Sequence, residues 1–102
     1  MNEQMLVKEF VESYALECNL QSRMLDLVSE VGELSKEVLK GTSYGKNDFC
    51  ITPNFEMELG DVFFSLCCIA SQTNSDLSEA LSKALLKYES RMKTKKSIGS
   101  EY

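Results

Sequence analysis

Residues 25–41 read Leu25-Asp26-Leu27-Val28-Ser29-Glu30-Val31-Gly32-Glu33-Leu34-Ser35-Lys36-Glu37-Val38-Leu39-Lys40-Gly41. Leu25, Val28, Val31 and Leu34 recur on one helical face, and Leu27 and Val38 widen it. The spacing predicts a helix over 22–39, with Gly41 as its C-terminal stop. Upstream, Leu6, Val7, Phe10, Val11 and Tyr14 predict a helix over 3–18. Downstream, residues 41–52 form the one substantial loop. Pro53 then stands at a first helical position, with Thr52 as N-cap. That third helix runs to Ser71 through Phe55, Leu59, Val62, Phe63 and Leu66. After a turn at Thr73, Asn74 and Ser75, a fourth helix is expected over 76–94. It places Leu77, Leu81, Ala84, Leu85 and Tyr88 inward, and its acidic start and basic end suit the helix dipole.

The sequence therefore predicts an all-α, four-helix bundle-like domain over residues 1–96, with 97–102 a flexible tail. A chain of 102 residues buries only about two-thirds of its unfolded surface. Completion of the bundle by homo-oligomerisation is expected on that ground.

The formal net charge is -5, from 16 acidic and 11 basic residues, and histidine is absent. That absence excludes Ser-His-Asp and Cys-His catalysis within the chain, His-based zinc sites and imidazole proton shuttles. Residues 62–70 are far too short an apolar run to span a bilayer, and the N-terminal stretch has no apolar leader. Cys18, Cys50, Cys67 and Cys68 contain no CxxC pair. They read as buried free thiols of a reducing cytoplasm.

The chemistry lies in a duplication. Residues 30–34 are Glu-Val-Gly-Glu-Leu and residues 58–62 are Glu-Leu-Gly-Asp-Val. Glu30 and Glu33 share one helical face, as do Glu58 and Asp61. Antiparallel helices would let the four carboxylates converge, and Gly32 and Gly60 would permit close helix approach. Converging carboxylates repel or take up protons. A hard cation, Mg2+ or Mn2+, resolves that conflict. Single Glu-x-x-Glu pairs are also common on solvated helices, and Glu37 and Lys40 read as ordinary surface residues. Charge is segregated as well. Residues 26–61 hold eight acidic and three basic side chains, whereas 83–96 hold six basic ones and only Glu89. Lys83, Lys87 and Arg91 recur at i,i+4 and form a stripe suited to phosphate.

With Glu30-Val31-Gly32-Glu33 followed, after 24 residues, by Glu58-Leu59-Gly60-Asp61, the sequence resembles the MazG-like all-α nucleotide pyrophosphohydrolases, whose signature is ExxE, a spacer, then ExxD. Lys87-Tyr88-Glu89-Ser90-Arg91 is similar to the family's basic C-terminal helix. Ser29 departs from the second glutamate that many members carry there. The resemblance implies cleavage of a nucleoside triphosphate between its α and β phosphates, giving monophosphate and pyrophosphate. It implies that Glu30, Glu33, Glu58 and Asp61 hold Mg2+, with Mn2+ a substitute. Glu30, Glu33 and Asp61 are then the catalytic carboxylates, Glu33 orienting the attacking water. Lys83, Lys87 and Arg91 would grip the substrate phosphates, and the spacer Gly41 to Lys46 would act as a lid. A homodimer or homotetramer, without membrane or stable nucleic-acid partner, is implied too. Two rival readings share parts of this pattern. One is hydrolysis of another phosphoanhydride, such as phosphoribosyl-ATP or a modified nucleotide; the other is a non-enzymatic helical scaffold.

Overall fold

The computed structural model describes residues 2–98. Four α-helices follow one another: α1 Asn2–Ser13, α2 Leu20–Gly41, α3 Phe55–Gln72 and α4 Leu77–Ile98. The all-α expectation holds. α2 and α3 form the main packed pair, α1 packs on α3, and α4 makes only marginal contact with the rest.

The helix ends explain most boundary differences. α1 stops five residues before the expected Cys18. Ala15 adopts φ 53° and the Leu16 amide bonds back to the Val11 carbonyl at 2.9 Å, a Schellman closure without glycine. α2 starts at Leu20 because Asn19 caps it, its side chain accepting from the Ser22 amide at 2.7 Å. It runs through Gly41, so Gly41 is not the expected stop. The stop is Ser43 at φ 51°, with the Tyr44 amide bonded to Leu39 O at 2.7 Å. Gly41 is demanded by packing instead. A Cβ there would lie 2.5 Å from Cε1 of Phe49 and 2.7 Å from the Cys50 carbonyl oxygen.

α3 begins at Phe55 rather than Pro53, because Thr52 does not cap it; its hydroxyl turns back to α2. Asn74, at φ 54°, closes α3, with the Ser75 amide on Ala70 O at 2.8 Å. α4 is capped by Asp76, which accepts from the Glu79 amide at 3.0 Å, and it continues through Ile98. The first two residues of the expected tail are therefore helical, and 99–102 lie outside the described residues. Gln4 of α1 secures the turn into α4: its Nε2 donates to Ser75 O and its Oε1 accepts from the Leu77 amide.

The core is thin. Among the described residues, Cys67, Cys68 and Ala70 are the buried apolar ones, where α3 meets its neighbours, and both thiols are free. Burial pushes both thiols upward, which makes them packing groups rather than nucleophiles. Cys18 is half-buried and Cys50 exposed, so burial of all four thiols was too broad an expectation. Phe64 meets Phe10 edge-on at 6.2 Å. Phe63 instead lines an open groove on α3 with Ile51, Phe55, Leu59, Val62 and Leu66. On α4, Leu81, Leu85 and Tyr88 are exposed and not inward as expected; Leu77 and Ala84 are half-buried.

The chain presents 7732 Å² of accessible surface, about a third more than the ~5,800 Å² typical of a folded monomer of this mass. Its radius of gyration is 17.4 Å, against about 13 Å for a compact domain of this length.

Gly32 and Gly60 do not mark a close approach of α2 and α3. A Cβ at either would meet nothing within 4 Å. Gly32→Ala and Gly60→Ala are therefore expected to stabilise the chain by about 0.5–1 kcal/mol each. Gly41→Ala is expected to cost about 1–3 kcal/mol by overpacking. Urea midpoints of the three variants check this; a loss of stability in Gly32→Ala or Gly60→Ala would reveal a neighbour that needs the space.

Candidate active site

The four motif carboxylates stand where α2 and α3 pack together. Ligand oxygens of Glu30, Glu58 and Asp61 lie within 4.8 Å of one another, and all three side chains are half-buried. Glu33 is exposed and stands outside this trio. It remains near enough for its charge to push both Glu30 and Glu58 upward.

Electrostatics follow from that placement. Glu30 is held above its ordinary value of 4.5, first by partial desolvation and then by Asp61, Glu58 and Glu33. Glu58 is raised by desolvation, then by Asp61, Glu33 and Glu37, with Lys40 opposing. Two raised carboxyls among hard oxygen donors fit a divalent cation of the Mg2+ type. No imidazole or thiolate stands in the trio to favour a softer ion.

Glu37 was misread as a surface residue. Its side chain is only 7% exposed. Its Oε1 accepts a 2.6 Å hydrogen bond from the Thr52 hydroxyl, and its Oε2 accepts from Lys40 Nζ at 3.3 Å. The Thr52 bond is the main reason its carboxyl sits below the ordinary value. The available signal was positional. Glu37 lies two turns beyond Glu30, on the same face of α2.

The expected lid segment is folded back onto α2. The Cys50 amide bonds to Gly41 O at 2.8 Å, and the Asn47 amide to Thr42 O at 2.9 Å. The Phe49 ring packs against Phe55 at 5.3 Å.

Lys83, Lys87 and Arg91 are exposed on α4. Helix packing within one chain does not bring them against α2 and α3. Lys87 and Arg91 both stand over the Tyr88 ring, at 5.0 and 5.8 Å, so one aromatic ring contacts two cations of the stripe. Glu89 pairs with Lys93 at 3.1 Å, not with the stripe.

Glu30 and Glu58 bind protons more tightly in the folded chain than in the unfolded one. Without a cation, folding is therefore penalised progressively as pH rises from 4.5 through the raised pKa values. Glu58→Gln is expected to be more stable than wild type at neutral pH without metal, and the advantage to shrink in acid. Denaturant midpoints from about pH 4 to 8, with and without Mn2+, check this. Mn2+ should abolish the advantage.

Known proteins share this fold. A family model described as the MazG nucleotide pyrophosphohydrolase domain matches residues 19–95, a span that contains all four carboxylates and the basic stripe. "Uncharacterized protein YpjD" of Bacillus subtilis (strain 168) is 32% identical over 90 residues, which are 85% of this chain and 77% of that protein. The crystal structure of the Bacillus-conserved MazG protein, a nucleotide pyrophosphohydrolase, matches with a TM-score of 0.71 at 30% identity, covering 85% of each chain. With its four helices and its acidic pairs on α2 and α3, the chain belongs to the MazG nucleotide pyrophosphohydrolase family.

Proposed function

We propose that this chain hydrolyses a nucleoside or deoxynucleoside triphosphate at the bond between the α and β phosphates. Water adds to one phosphorus of the bridge, the bridging P–O bond breaks, and monophosphate and pyrophosphate leave. The observation that supports this most strongly is the convergence of Glu30, Glu58 and Asp61 within 4.8 Å. Glu30, Glu33, Glu58 and Asp61 would hold Mg2+, or Mn2+ in its place. Bound there, the ion supplies neutralisation of phosphate charge and a lowered pKa for water.

The chain's own groups do the rest. Glu33 is exposed and outside the trio, which leaves a carboxylate oxygen to accept a proton from the attacking water. Glu30 and Asp61 fix the geometry around it. Lys83, Lys87 and Arg91 hold the outer phosphates and offset charge on the leaving pyrophosphate.

The working form is a homodimer or homotetramer. Support comes from the excess accessible surface, the open apolar groove on α3 and the exposed apolar side of α4. A basic α4 lying on the acidic α2–α3 pair of a second copy would join the two halves of the site by charge. Among the described residues, no helix is long and apolar enough to cross a membrane. The cysteines are free, which supports a place in the reducing cytoplasm.

Incubation with Mg2+ and a panel of canonical nucleotides, modified nucleotides and phosphoribosyl-ATP, followed by chromatography, tests the reading. Monophosphate and pyrophosphate are expected from a nucleoside triphosphate in equal amounts. Orthophosphate as the primary product would overturn the bond assignment. Asp61→Asn and Glu33→Gln should each lower kcat at least about a hundredfold, with the far-ultraviolet circular dichroism unchanged.

A further inference from the structure

The face of α2 that α3 and its preceding segment cover is a ladder. Gly41 O meets the Cys50 amide. One turn back, Glu37 meets the Thr52 hydroxyl. Two turns further, Glu30 joins Asp61 and Glu58. Positions 41, 37 and 30 are spaced as one helical face. Thr52, the partner of Glu37, lies three residues before α3, whose first turns carry Glu58.

We propose that the Glu37–Thr52 bond sets the register of α3 against α2, making Glu37 and Thr52 positioning residues for the metal-binding carboxylates. This deepens the proposed function and rests on it. Three observations carry it. Glu37 is buried, both its oxygens are occupied, and neither of its partners belongs to the acidic trio. A carboxylate buried near Glu58 is costly unless it is paired. Lys40 and Thr52 pair it, and in doing so anchor the start of α3 three residues before Phe55. Thr52 would otherwise be free to cap α3, and α3 would begin nearer Pro53. Released from Glu37, the start of α3 is free to turn or slide against α2, and Glu58 and Asp61, carried on the same helix, move with it relative to Glu30.

Mn2+ titration of the full-length chain, followed by electron paramagnetic resonance, tests the proposal. Thr52→Val removes the hydroxyl at nearly constant volume, and Thr52→Ser restores it. The expected result is a loss of about tenfold in Mn2+ affinity for Thr52→Val, in the range of outer-sphere substitutions, and near-wild-type affinity for Thr52→Ser. Thr52→Ala serves as the second, less crowded variant with the same expectation. Measurements are made well below the melting transition, where a merely structural role lowers stability but leaves the affinity of folded molecules unchanged. Wild-type affinity in both Thr52→Val and Thr52→Ala overturns the positioning role. Glu58→Gln is the control for the site itself. If Glu58→Gln loses Mn2+ and the Thr52 variants do not, this inference alone fails. If wild type binds no Mn2+, the proposed function fails with it.

Discussion

Mutual repulsion among carboxylates at the contact of α2 and α3 is the constraint around which the rest of the chain is arranged. Glu30, Glu58 and Asp61 stand within 4.8 Å, and Glu33 and Glu37 add their fields. Such a cluster opposes the packing of the two helices that present it. The apolar core beneath is small, centred on Cys67, Cys68 and Ala70. The fold tolerates the cluster because the carboxyls of Glu30 and Glu58 are held above their ordinary value and because Glu37 is paired with Thr52 and Lys40. A cluster of this kind could hold a divalent cation, which suits a metal-dependent hydrolase.

The same economy shows in the rest of the architecture. α1 and the turn before α4 are joined by the two hydrogen bonds of Gln4, not by a broad apolar contact. α4 carries apolar and basic faces that its own chain leaves uncovered. α3 carries an apolar groove beside an acidic cluster. These surfaces complement one another in character and charge, and a chain of this length has little other material with which to complete a core.

Much of the fold was legible in the sequence because the apolar periodicity of α2 and α3 is strong and proline occurs once. The acidic duplication pointed to the carboxylate cluster, three of whose four members converge, since i,i+3 carboxylates share a face. What was not legible depends on contacts distant in sequence. Ala15, Ser43 and Asn74 end helices in left-handed conformations that ordinarily call for glycine, so α1 was drawn too long and Gly41 was given the wrong task. Gly32 and Gly60 looked like packing residues, yet each faces open space. Thr52 has the chemistry of a cap, and only its partner across the loop shows that its hydroxyl serves Glu37. The basic stripe was legible as a surface but not placed, because helical periodicity fixes faces within a helix and not what that helix packs against.

Crystals grown with Mn2+ and measured at an anomalous wavelength test the central claim most directly. The account predicts a difference peak bonded to carboxylate oxygens of Glu30, Glu58 and Asp61, between α2 and α3. A well-ordered α2–α3 pair with no peak there, or with Mn2+ bound only elsewhere, would contradict it.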